Sequence, residues 1–146
     1  MLNKLLTKDF IRTSVKCKDW KDAICKGVKL LEDKNLVKEC YKDAIFRCFD
    51  EFGPYMVIAP GIVLSHARPE DGVIEKGMSL ITLDTPIEFG SELNDPVTLI
   101  FTLAAKDSNA HLEALKELME ILINEDDLKS LFNAKNTNDI LKILNK

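Results

Sequence analysis

The sequence predicts a single α/β domain over residues 1–146, and three observations predict it. Apolar residues recur at helical spacing in the first third, short β-branched runs between turn residues fill the middle, and helical spacing returns after Ser108. Helices bracketing a block of strands is the pattern of an α/β sheet protein. A chain of 146 residues can bury one sizeable core, and no repeat, low-complexity run or linker divides it.

Trp20, Ala23, Ile24, Gly27, Val28 and Leu31 line one face of a first helix, with Lys21, Asp22, Lys26 and Lys29 elsewhere on its circumference. Lys34-Asn35 interrupts it. Tyr41, Ala44, Ile45, Cys48, Phe49 and Phe52 form a second stripe, stopped by Gly53-Pro54. Strands are expected over 55–59 and 62–64 around Pro60-Gly61, over 78–83, and over 97–104, where β-branched residues are frequent. Asp71-Gly72 and Asn94-Asp95-Pro96 supply turns. Ser108 or Asn109 then caps a helix with Leu112, Leu115, Leu118, Met119 and Leu122 on its apolar face. Asp126 or Asp127 opens a short helix through Phe132. Thr137 or Asn138 opens the last, with Ile140, Leu141 and Leu144 facing inward.

Composition removes several function classes. The net charge is -4 with both signs mixed along the chain, so the basic stripe of a nucleic-acid binder is missing. No apolar run approaches the ~18–20 residues of a membrane span. The first residues hold neither a long apolar core nor a cleavage site, so a cytoplasmic location and no direct membrane insertion are expected. Cys17, Cys25, Cys40 and Cys48 form no CxxC pair and read as buried thiols, with Cys25 and Cys48 on apolar helix faces. Walker, GxGxxG, GxSxG and HExxH patterns are absent, and no metal or cofactor is expected.

The chemistry is expected at the two histidines, which both stand at transitions between elements. His66 follows the apolar run Gly61-Ile62-Val63-Leu64-Ser65, and His111 falls in the first turn of the helix after Ser108. Side chains at strand ends are held rigidly yet stay accessible. A histidine titrating near its ordinary value is largely neutral in the cytosol and offers a ring lone pair to phosphorus. The resulting phosphoryl group needs donors. Arg68 offers a planar fork of N–H groups, Ser65 a hydroxyl, and the amides opening the Ser108-Asn109 helix an anion site, with His111 placed to donate to a phosphate oxygen. Equally, a lone histidine at a strand end can be an ordinary surface residue, and Arg68 a solvated turn arginine.

The segment from Gly53 to Val73, with Gly53-Pro54-Tyr55, Ala59-Pro60-Gly61, His66 and Arg68-Pro69-Glu70-Asp71-Gly72-Val73, resembles the active-site stretch of phosphotransferase-system enzyme IIA proteins of the mannitol/fructose superfamily, its ascorbate-type branch in particular. The likeness extends to Trp20–Val28, to Pro86–Phe89 and Asn94–Val97, and to Leu103–Asp107 followed by Ala110-His111-Leu112. It implies a mixed β-sheet flanked by helices on both faces. It implies that His66 accepts a phosphoryl group from the carrier HPr and passes it to enzyme IIB, which serves membrane-embedded enzyme IIC. His111 matches the family's assisting histidine, and Arg68 is the candidate for charge compensation.

Two departures stand out. Ser65 occupies the place where the family usually has proline, and Arg47 does not align with the arginine that fructose- and mannitol-type members carry upstream. A regulatory module using the same phosphorylation to control a protein partner is the alternative function. HPr would dock on a shallow apolar rim, with Ile62, Val63 and Met78 as candidates, and a homodimer is one arrangement open to the chain.

Overall fold

A computed structural model describes residues 2–145 and shows one domain built on a five-stranded mixed sheet. The strands are β1 (Ile11–Val15), β2 (Val57–Ala59), β3 (Ile62–Ser65), β4 (Gly77–Ile87) and β5 (Val97–Ala104), in the order β1-β4-β5-β3-β2. β1 runs parallel to β4 and β3 parallel to β5, while β4–β5 and β2–β3 are antiparallel. The helices are α1 (Leu2–Leu5), α2 (Trp20–Glu32), α3 (Tyr41–Phe52), α4 (Ser108–Leu122), α5 (Glu125–Asn133) and α6 (Thr137–Leu144).

Alternation along the strands feeds two cores. Val63, Ile81, Leu83, Val97 and Ile100 face α2 and α3, where Ile24, Val28, Leu31, Tyr41 and Ile45 cover them. Ile62, Leu64, Met78, Leu80, Leu99, Phe101 and Leu103 face the other way, under Ala114, Leu118, Leu131 and Ile140 of α4–α6. Each fully buried Leu or Ile contributes about 1.5–3 kcal/mol, so both faces need their helical cover. β3 is buried at all four positions. That explains its unbroken apolar run, the mark of a central strand with a parallel neighbour. At the top of the first face Trp20 packs edge-on to Phe46 and within 4.8 Å of the Phe49 ring, pinning the start of α2 to α3.

The central strands also carry a row of buried hydroxyls on the α2 face. Ser65 Oγ lies 3.0 Å from Thr102 Oγ1, and Ser79 Oγ donates to the Gly27 carbonyl at 2.7 Å. Small polar residues there let α2 approach the sheet: a Cβ on Gly27 would stand 2.7 Å from Thr102 Oγ1.

Several expectations need correction. Ile11–Val15 is a strand that the N-terminal helical reading missed. It lies at the sheet edge, its apolar alternation is diluted by Thr13 at an inward position, and Ser14 sits at φ 53 in a register shift. β2 begins at Val57 rather than Tyr55, and β4 runs on to Ile87. The caps are Asp107, Asn124 and Asn136, each preceding the residues chosen from sequence, and each side chain accepts the amide three positions on. None of the cysteines is fully buried, and Cys40 is exposed. Ile62, Val63 and Met78 are wholly enclosed, so they form no docking rim.

Gly27→Ala should destabilise the fold by about 1–2 kcal/mol, because overpacking against the bonded Thr102 outweighs the ~1 kcal/mol helix-propensity gain. Urea unfolding measures it, and a variant as stable as the parent would show that the hydroxyl row yields freely.

Candidate functional site

β3 delivers His66 to the sheet's end, and β5 runs beside it in parallel, paired Ile62↔Leu99 through Ser65↔Thr102. Parallel strands end on the same side of a sheet, so the chains leaving them emerge together. From β5 the chain crosses Ala105-Lys106-Asp107 and enters α4, whose first turn holds His111. The two imidazoles thereby meet, with centroids 5.3 Å apart and planes at 62°. They share a cavity of about 870 Å³ with Arg47, Cys48, Tyr55, Arg68, Asp107, Ser108 and others.

The His66 ring is half-buried and oriented. Its Nδ1 lies 3.0 Å from the Leu64 carbonyl oxygen. A carbonyl only accepts, so Nδ1 carries the proton and donates it, which leaves Nε2 with the lone pair. The edge of Tyr55 meets the ring at 6.1 Å and 90°. Burial pushes the His66 pKa below its ordinary value; the Leu64 hydrogen bond opposes that shift and the nearby His111 adds to it. The ring is therefore neutral at neutral pH and held in one tautomer, with Nε2 unprotonated.

The other candidates divide. Arg68 lines the cavity, but its side chain is 76% exposed and its Nε lies 3.5 Å from Asp71 Oδ2 and 3.7 Å from Glu70 Oε1. Ser65 needs correction as a phosphate donor. It is wholly buried, its side chain belongs to the α2-facing row, and its hydroxyl is bound to Thr102 and to the Phe101 carbonyl. Strand alternation places neighbouring side chains on opposite faces, so Ser65 cannot serve the His66 pocket. The start of α4 does reach the cavity through Ser108, although its Ala110 amide is already bonded to Asp107 Oδ1 at 2.8 Å.

Arg47 is the lining residue that sequence spacing missed. It stands on the polar edge of α3, one turn after Ala44, and no carboxylate pairs with it among the described residues. Its position next to Cys48 of the second apolar stripe was the available signal. Phe52, Tyr55 and Leu112 line the same cavity at 64%, 48% and 60% exposure, an apolar rim that the sequence assigned to other residues. Among the described residues no group of three or more His, Cys, Asp or Glu side chains could hold a metal, and no helix is long and apolar enough to cross a membrane.

Residues 4–146 match the family described as phosphoenolpyruvate-dependent sugar phosphotransferase system, EIIA 2. The chain is 36% identical over 145 residues to the ascorbate-specific PTS system EIIA component of Salmonella typhi, covering 99% of this chain and 94% of the relative. The solved mannitol-specific cryptic phosphotransferase enzyme IIA CmtB from Escherichia coli superposes with a TM-score of 0.89 at 34% identity, over 98% of this chain and 97% of that one. Enzyme IIAMTL, solved in complex with phosphorylated enzyme IIBMTL from Escherichia coli, shares the fold with a TM-score of 0.84 at 20% identity, over 97% of this chain and 99% of that one.

Titrating the His66 ring by NMR should give a midpoint below the ordinary ~6.5 and an Nδ1–H tautomer above it. The unfolded chain binds the proton more readily than the folded one, so His66's contribution to stability is complete above about pH 6.5 and falls as pH drops from there to the folded midpoint. A midpoint at or above the ordinary value would refute the buried, neutral ring.

Proposed function

The chain belongs to the phosphoenolpyruvate-dependent sugar phosphotransferase system EIIA 2 family, phosphocarrier components of sugar uptake, and we propose that His66 is its phosphoryl acceptor, charged by phospho-HPr and discharged to enzyme IIB in the cytoplasm. The observation that carries this reading is the oriented, neutral His66 ring with Nε2 unprotonated in a cavity shared with His111. Nε2 attacks the phosphorus of a donor phosphohistidine that is protonated on its other ring nitrogen. The Nε2–P bond forms as the donor's N–P bond breaks, and the bonding electrons return to the donor imidazole, which leaves neutral. The His66 ring keeps its Nδ1 proton, hydrogen-bonded to the Leu64 carbonyl, and takes up the positive charge. Little else is asked of the protein than placement and charge compensation.

Each partner group has a physical task. His111 donates a ring N–H to a phosphoryl oxygen, and the amide end of α4 lies beside it. Arg47, without a carboxylate partner, is available to face the new charge directly, whereas Arg68 must first leave Asp71 and Glu70. Arg47 is therefore the stronger compensating cation, and Arg68 the secondary one. The exposed Phe52, Tyr55 and Leu112 give a protein partner a small apolar surface around the reacting atom, suited to brief docking with modest affinity. The likeness to ascorbate-specific components supports an ascorbate-type sugar acid as the transported compound, which this chain need not touch.

Incubation with phosphoenolpyruvate, enzyme I and HPr should place one acid-labile phosphoryl group on His66 Nε2 and none on His66→Ala. An unlabelled parent protein in a mixture that charges other IIA components would sink the reading. His111→Ala should still accept phosphate, about 100-fold more slowly, the usual loss for one donor to a developing charge. Arg47→Ala should slow transfer more than Arg68→Ala, and the reverse order in stopped-flow rates would exchange their roles.

A further inference from the structure

The parallel ladder of β3 and β5 ends at Ser65↔Thr102, just before His66. Along β3 the amide of Leu64 points away from β5 and bonds to the Met56 carbonyl at 2.9 Å. Alternate amides therefore face β5, and after Ser65 the next in that series is Ala67. Its regular partner in a continued parallel ladder would be the Leu103 carbonyl. The two do not bond directly. The Tyr41 hydroxyl stands between them, accepting from Ala67 N at 3.0 Å and donating to Leu103 O at 2.7 Å. Tyr41 opens α3 and is wholly buried. Burial pushes its pKa up to about 12, so the hydroxyl stays protonated and both bonds persist at every working pH.

We propose that Tyr41 is a positioning residue whose hydroxyl, inserted as a side-chain rung where the β3–β5 ladder stops, sets how far the strand ends splay and so places His66 against His111. One side of the rung holds the residue that follows His66. The other holds the last turn-off of β5, four residues before the cap of α4 and eight before His111. A direct Ala67–Leu103 bond would draw the strand ends together by the depth of one oxygen, and a broken one would free the loop. Either change moves the ring that must meet phosphorus in line, and small misplacements cost much rate. No other hydroxyl reaches these two groups among the described residues.

The test is Tyr41→Phe, which keeps the buried ring, compared with Asn94→Ala. Asn94 Nδ2 donates to the Val57 carbonyl at 3.0 Å, and its own carbonyl accepts from Gly61, which lies at the opposite end of β3 from His66. That control loses a comparable side-chain bond without touching the site. In Tyr41→Phe the His66 titration midpoint and Nδ1–H signal should shift and the Ala67 amide should exchange faster. Phosphoryl transfer from phospho-HPr should fall about tenfold in kcat, with KM for the donor within about twofold. Asn94→Ala should match the parent in all of these, whatever it loses in Tm. Equal behaviour of the two variants at His66 would overturn the positioning role.

The inference rests on the phosphocarrier reading only for its kinetic arm. If the parent accepts no phosphate, that reading fails, and the ring signals still decide Tyr41. If Tyr41→Phe does not fold, the parent decides: a slowly exchanging Tyr41 hydroxyl proton coupled to Leu103 and Ala67 supports the rung, and its absence overturns it.

Discussion

The site depends on one constraint, the parallel pairing of β3 with β5. Because both strands point the same way, the chain carrying His66 and the chain leading to His111 leave the sheet at one end. An antiparallel pairing would send them to opposite ends. The pairing is secure because it lies inside the sheet, with β2 beyond β3 and β4 beyond β5, and because side chains on both faces are buried under helices. The two histidines therefore follow central strands that are covered on both faces, while the rim around them is exposed.

Polarity is partitioned with equal consequence. Ser65, Thr102 and Ser79 spend their hydroxyls inside the α2 face, where they permit the close approach of Gly27. One residue later the chain turns outward, and His66 gives its Nδ1 proton to a backbone carbonyl instead of to a carboxylate. A carboxylate there would have raised the ring's pKa and favoured the cation, which has no lone pair to offer. A neutral ring with a carbonyl partner is what the proposed phosphoryl acceptor requires. The charged groups stand further out, where Asp71 and Glu70 hold Arg68 and Asp107 caps α4.

Much of the fold was legible from short-range pattern. The stripes over Trp20–Leu31, Tyr41–Phe52 and Leu112–Leu122 are each longer than two turns, and a period that long admits few alternatives. β1 escaped because an edge strand needs only one partner and one covered face, so it is short and tolerates Thr13 at an inward position, which blurs its alternation. The caps slipped by one to three positions because Asp107, Ser108 and Asn109, like Asn136, Thr137 and Asn138, can all cap, and only backbone dihedrals choose among neighbours.

The sequence by itself determined the α/β class and singled out the two histidines as the candidate centre, since hydrophobic period and residue type are local properties written in consecutive letters. Through the resemblance around His66 it also determined the family. The tertiary structure decided which polar groups stand near those histidines. Ser65, adjacent in sequence, is turned into the core by strand alternation, whereas Arg47 and Tyr41, some twenty residues away, are carried to the site by α3. Distance along the chain says nothing about which face a side chain takes once strands pair and helices cover them. That is why His66 could be proposed from the sequence, while the residues around it became visible only in the folded chain.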